Sequence, residues 1–234
     1  MDFPLLFFFG LLALMMGAWI NSQIHSTLRR YLRIRTPAWV NVSNMAHELL
    51  AQANVTRVKI EPLSSLVDDH YDVLKRRLRF SDPTGYSIGE FAMAAQETGL
   101  AIEQTKMAIT FWPIWGLSAS AKIIATAAAL GLFFSLVGGF LMRLPDNFMN
   151  SCLLIYILCV LATLPMAYLR WQINLQTLPQ LKTLPEMKSE PTPEELRQLT
   201  HMMHLLIWRD MKDVSLVLPG IITSIKDWFT QSGR

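Results

Sequence analysis

The first apolar run constrains this chain more than any other feature. Residues 3–20, FPLLFFFGLLALMMGAWI, carry no charge over eighteen positions. At a helical rise of about 1.5 Å per residue such a run just crosses the hydrocarbon of a bilayer. Two further runs, 119–142 and 152–169, are as long and nearly as apolar, with Lys122 at the mouth of the earlier one. Only 17% of the 234 residues are charged. The pattern predicts a membrane protein with about three transmembrane helices, not a chain built around one water-soluble core.

Charge next to the runs sets the expected orientation. No basic segment precedes the first run and no small-residue cleavage site follows it, so it reads as an uncleaved anchor. Arg29, Arg30, Arg33 and Arg35 come directly after it, which places its end in the cytoplasm. Arg170, Lys182 and Lys188 follow the third run, while Arg143 and Asp146 lie in the short loop before it, and this gives the same orientation. The net charge of +3 is therefore assigned to topology and lipid headgroups, and nucleic acid is not an expected partner. Cys152 and Cys159 are seven positions apart in one apolar run, about 10 Å along a helix, too far for a disulfide. They read as buried small side chains.

Between the first two runs the chain reads as a small α+β unit. Ser43 is expected to cap the helix SNMAHELLAQA, and residues 57–61 alternate polar and apolar as a half-buried strand does. In LKRRLRF the alternation predicts Leu74, Arg76, Leu78 and Phe80 on one face and Lys75, Arg77 and Arg79 on the other, a basic face suited to water or headgroups. SDPTGY turns the chain, and Ser87 with Glu90 forms a capping box for the helix containing FAMAAQETGLAIEQTK.

After the third run, four prolines in LPQLKTLPEMKSEPTP predict an interrupted stretch with no continuous helix. Thr192, Pro193 and Glu195 then start a helix with Leu196, Leu199, Met203, Leu206 and Ile207 at helical spacing. VSLVLPGII is too short to cross alone, and Arg209, Asp210, Lys212 and Asp213 are costly at membrane depth. An amphipathic helix at the cytoplasmic interface is expected there. The expected organisation is an anchor at 1–24, a cytoplasmic α+β unit at 25–117, a transmembrane hairpin at 118–170 and an interfacial region at 171–234.

The most informative stretch for chemistry is Gln96, Glu97, Thr98, Gly99, Leu100. In an H-E-x-x-H helix two imidazoles four apart hold zinc and the Glu between them activates its water. Here the Glu is present and both histidines are absent. With DDHYDVLKRRLRFS at 68–81 and SIGEFAMAAQETGLAIEQ at 87–104, the chain resembles the YugP-like neutral zinc metallopeptidases of bacterial membranes over residues 1–170. That family combines an N-terminal anchor, a D-H-Y-D-P segment, an S-I-A-A-I-x-V-A-A-H-E-V-G-H-A-I-Q helix and two closely following spans. The resemblance implies a zincin-like unit, with Gln96 and Leu100 at the two histidine positions, Glu97 at the general base, and Gly99 and Ala101 at the small residues beside them. It also implies a third, acidic ligand in a segment of the type L-P-x-E-F-D-A-S, for which LPQLKTL at 178–184 offers no carboxylate. Val73 stands in place of the family's proline, and charge weakens the last span.

The other histidines do not rebuild such a site. His201 and His204 share a helix face without a third ligand, His47 begins an incomplete H-E-x-x-x, and His70, beside carboxylates in the D-H-Y-D segment, reads as a structural hydrogen-bonding residue. No glycine-rich phosphate loop or Gly-x-Ser-x-Gly elbow is present. The sequence therefore predicts no cofactor, no bound metal and no small-molecule substrate. The expected function is an inactive, membrane-anchored pseudopeptidase serving as an accessory, scaffolding or structural subunit of a larger membrane complex in the bacterial cytoplasmic membrane. Its partners are then the bilayer and other membrane subunits, met through small residues such as Ala127, Ala128, Gly131, Gly138 and Gly139. The alternative is an active membrane-bound hydrolase with a non-standard metal site. A channel or transporter finds little support, because the runs contain almost no ionisable residues.

Overall fold

The apolar runs and the half-polar stretches sort into two units. The computed structural model describes residues 3–35, 41–62, 70–141, 146–184 and 191–217, with backbone alone at 3–7, 135–141 and 146. One unit takes residues 1–22, 114–167 and 208–234, the other 23–113 and 168–207. The loop about Arg143, Lys188 and the LPGII end of the C-terminal apolar stretch lie outside the described residues.

The first unit is a helical bundle. It contains the start of α1 (Phe3–Tyr31), most of α4 (Ala108–Leu141), α5 (Asp146–Leu161), the first residues of α6 (Leu164–Leu181), and α8 (Arg209–Ser215). Among the described residues two stretches, Ala108–Phe134 and Asn147–Leu181, are long and apolar enough to cross a membrane. The second is broken at 162–163. Pro165 has no N–H to offer the Leu161 carbonyl, so α5 stops there, and α6 restarts with its proline in the first turn, where that N–H is not needed. Leu132, Cys152 and Leu153 form a buried cluster flanked by Met149 and Ile157. Both cysteines are buried free thiols. A Cβ on Gly17 would stand 2.3 Å from the Cβ of Ser215, so only glycine lets α1 and α8 meet here. The Tyr156 hydroxyl donates to the Ser215 carbonyl, and Lys122 Nζ pairs with Asp210 at 2.9 Å and Asp213 at 3.2 Å. The charges of α8 are thus balanced against α4.

The second unit is built around α3 (Ile88–Lys106), buried without interruption from Phe91 to Gln104. A helix apolar or small on all sides needs a partner on every side. Here these include α2 (Val42–Gln52), a three-stranded sheet and α7 (Pro193–Leu206). The capping box of Ser87 and Glu90 starts α3 as expected, and its register is held by Ile88 N–H donating to the Ile34 carbonyl at 3.1 Å.

Four details differ from the sequence expectation. The cap of α2 is Asn41, whose side chain accepts from Asn44 N–H at 2.7 Å, and Ser43 already lies inside the helix. In the sheet, ordered β1-β3-β2, β1 (Lys59–Pro62) runs parallel to β3 (Arg77–Phe80) and β2 (His70–Asp72) antiparallel to it. Residues 73–76 form the turn between β2 and β3, with Arg76 left-handed at φ 53, so Leu74 leaves the sheet face and is 73% exposed. The third apolar run does not end at 169: α6 continues to Leu181, through Pro179 in its last turn. Finally, the face of α7 formed by Leu199, Met202, Met203 and Leu206 is buried in this unit, where α7 packs along α3. The apolar stripe expected at a lipid interface is satisfied by protein. The Thr192–Glu195 capping box and Pro193 in the first turn occur as the sequence predicts.

Candidate functional site

The five residues at the centre of α3 occupy the most secluded part of the second unit. Gln96 is 0% exposed, Glu97 3% and Leu100 2%, so all three are closed off from the surface. Gly99 is what brings the neighbouring helix so close: a Cβ there would stand 2.2 Å from Ile173 Cγ2 and 2.9 Å from Thr177 Oγ1. The close approach sets α6 against the polar side chains of α3.

From α6 comes the group that organises the site. Arg170, 5% exposed, donates through one guanidinium nitrogen to Gln96 Oε1 at 3.0 Å and to Glu97 Oε1 at 3.2 Å. Glu97 Oε2 accepts the Tyr71 backbone N–H at 2.9 Å. Gln96 Nε2 donates to Asn174 Oδ1 at 3.2 Å and to the Met203 carbonyl at 3.3 Å, and Asn174 Nδ2 donates to the same carbonyl at 2.8 Å. One buried network therefore ties α3, α6, α7 and β2 together. Every side-chain polar atom of Gln96 and both carboxylate oxygens of Glu97 are engaged, which is how a buried charge is tolerated.

β2 is an edge strand, yet its Tyr71 N–H is spent on Glu97. An extended peptide adding to that edge would find this donor taken. The Tyr71 hydroxyl donates to Gln104 Oε1, while Gln104 Nε2 donates to the Val73 carbonyl at 3.1 Å. Burial pushes the Tyr71 phenol up to about 12, opposed by Arg76 and assisted by Asp72. Burial likewise raises the Glu103 carboxyl, opposed by Lys106.

With this geometry described, comparison with known proteins decides the family. A family model described as "putative neutral zinc metallopeptidase" matches residues 6–196. The chain belongs to this family. Among curated proteins it is similar to the "Putative membrane protease YugP" of Bacillus subtilis (strain 168), 27% identical over 101 residues. That match covers 42% of this chain and 45% of the relative, so the chain aligns with less than half of the relative's length. No solved structure matches.

The zinc that the family description implies does not fit the side chains at this place. Leu100 offers no lone pair, and the Gln96 amide is a neutral, poor donor already bonded at both ends. Glu97 shares its charge with a guanidinium at 3.2 Å, which would repel a divalent cation. Among the described residues no group of three or more His, Cys, Asp or Glu stands close enough to hold a metal. His25, His47, His201 and His204 are exposed on separate helices or turns of helix, with Tyr31 Oη 3.1 Å from His201 Nδ1, and His70 sits in β2 opposite Arg79.

The small residues singled out on α4 divide. Ala128 is buried and Gly131 packs on Cys152 Sγ within the first unit, whereas Ala127 is exposed. Gly138 and Gly139 fall in the helix where the surroundings lie outside the described residues. Sequence reasoning missed Arg170 and Asn174, taking the arginine as a marker of topology. The signal was there: Arg170, Asn174 and Thr177 recur on one face of an otherwise apolar helix, and polar residues in such a place face protein.

Proposed function

We propose that this chain is a membrane-anchored pseudopeptidase of the zinc metallopeptidase family, which acts by binding another membrane protein as an accessory or structural subunit. The observation that carries the reading is Glu97. The residue that the resemblance puts at the family's general base is buried, bonded through both oxygens and neutralised by Arg170. A carboxylate buried and bonded in this way is poorly placed to act as a general base on a peptide bond. The location that goes with this reading is the bacterial cytoplasmic membrane, with the second unit on the cytoplasmic side. What supports it is the pair of apolar helical stretches and the arginine cluster at the end of α1.

The test is metal and cleavage analysis of the full chain purified in mild detergent, with its co-purifying proteins identified in stoichiometric amount. The expected result is no stoichiometric zinc, no chelator-sensitive cleavage of casein, and a defined membrane partner. Stoichiometric zinc with chelator-sensitive cleavage would establish the hydrolase and overturn this reading.

A further inference from the structure

The turn between β2 and β3 presents an unusual combination of side chains. Leu74 is 73% exposed at its tip, and beside it stand exposed Lys75 and half-exposed Arg76. A tight turn ordinarily places polar residues there, since an exposed leucine gains nothing from water. The turn is fixed in position: Asp72 Oδ1 accepts Lys75 N–H at 3.0 Å, and Gln104 Nε2 holds the Val73 carbonyl at 3.1 Å. Gln104 belongs to the last turn of α3, so the tip lies at the end of the unit where α3 passes into α4.

That end is apolar and basic as well. Met107 is 50% exposed, Ile109 93% and Trp112 38%, with Lys106 exposed beside them. Ala108 opens the apolar stretch Ala108–Phe134. On α6 of the same unit Tyr168 and Trp171 are exposed and in ring contact at 5.7 Å. Tyrosine and tryptophan mark the headgroup level of spanning helices, and lysine and arginine beside them favour anionic lipid. The nearby acids are Asp72 at the base of the turn and buried Glu103, so Lys75, Arg76 and Lys106 leave this end with a net positive charge.

We infer that the β2–β3 turn is a lipid-docking element: Leu74 inserts among the headgroups of an anionic bilayer while Lys75, Arg76 and Lys106 bind their phosphates, beside the point where α4 enters the membrane. The inference rests on α4 being a membrane span. It gives the basic face of the hairpin a partner of defined chemistry.

The experiment uses the full chain with Cys152 and Cys159 replaced by alanine, reconstituted in phosphatidylcholine vesicles with or without phosphatidylglycerol. An environment-sensitive fluorophore is attached at Leu74→Cys or, as a control, at Phe134→Cys, an exposed position well inside the apolar run of α4. The label at position 74 is expected to shift to the blue and to be quenched by shallow spin-labelled lipid when phosphatidylglycerol is present. Lys75→Glu with Arg76→Glu, or high salt, should reverse most of that shift. The control label should be quenched by deep spin-labelled lipid in both vesicles. If the control is quenched and the label at 74 stays aqueous in both, the docking inference is wrong while α4 remains a span. If neither is quenched, the span reading falls and takes the inference with it.

Discussion

Among the paired cations of this chain, Lys122 in the first unit and Arg170 in the second are held in opposite ways. In the first, Lys122 reaches two aspartates with 38% of its side chain exposed, and Asp213 is itself 35% exposed. In the second, Arg170 and Glu97 have side chains 6% and 5% exposed, with Gln96, Asn174 and the Tyr71 and Met203 backbone completing their bonds. Lysine is a compact charge that can stay partly hydrated at a helix surface, whereas the planar, permanently charged guanidinium suits a site with fixed acceptors. The lysine pair attaches one helix to another. The arginine pair fills the centre of α3, and there its single positive charge neutralises a buried carboxylate.

The largest expected effect comes from breaking the second pair. Arg170→Met leaves Glu97 buried without its counter-charge and should cost about 3–5 kcal/mol of stability. Glu97→Gln with Arg170→Met should recover most of that loss, because a neutral amide can keep the Tyr71 N–H while no charge is stranded. Denaturant unfolding of the two single variants and the double variant gives the coupling directly. A coupling near zero would mean that the two side chains do not sense each other, and the network description would fail. The same pair governs metal. Gln96→His with Leu100→His should bind no stoichiometric zinc while Arg170 remains, as read by metal analysis of the purified protein.

Next in size is the spacing that lets Arg170 reach the site. Gly99→Ala places a methyl 2.2 Å from Ile173 Cγ2, so α6 must move away from α3, at an expected cost of about 1–3 kcal/mol. Gly99→Ala with Ile173→Ala should restore much of the loss by removing the colliding side chain. If the single substitution is neutral, the close approach of the two helices is not a condition of the network.

These residues also show where the sequence was readable and where it was not. Both capping boxes, at Ser87–Glu90 and Thr192–Glu195, could be read directly, because a cap is a local contract between residues three apart. The strand alternation around Leu78 and Phe80 was equally local, but the left-handed Arg76 that turns Leu74 outward has no pattern of its own. Prolines gave mixed service: Pro165 does interrupt the third apolar run, whereas Pro179 sits in a last helical turn that tolerates it. Arg170 was misread because an arginine after an apolar run has two physical readings, a headgroup anchor or a buried counter-ion. Only its carboxylate partner, 73 positions away, distinguishes them. The face of α7 posed the same problem, since lipid and a buried helix reward the same stripe.

Lys122→Met should cost less than Arg170→Met, about 1–2 kcal/mol, because Lys122 and Asp213 keep 38% and 35% of their side chains exposed while Asp210, 9% exposed, loses its cation. The loss should shrink in high salt, which screens exposed charges and leaves buried pairs nearly untouched. Unfolding of Lys122→Met and Arg170→Met at low and high salt makes the contrast quantitative. Equal salt sensitivity would remove the distinction drawn between the two cations.

The smallest effect is confined to alkaline solution and sharpens the account of the arginine network where it meets the hairpin. Tyr71 joins the two, with its N–H on Glu97 and its hydroxyl on Gln104. Its phenol is pushed from 10.0 up to about 12 by burial, so the folded state favours the protonated form. The contribution is fully present below pH 10 and drains away as pH rises through about 12. Tyr71→Phe loses the bond to Gln104 and should be less stable than the natural chain by about 1 kcal/mol at neutral pH. That gap should hold steady up to pH 10 and narrow above it, since the variant has no phenol to ionise at this position. Unfolding across this range, followed with tyrosinate absorbance, checks the sign. A gap that stays flat to pH 12 would place the Tyr71 hydroxyl in water and detach the hairpin from the buried network.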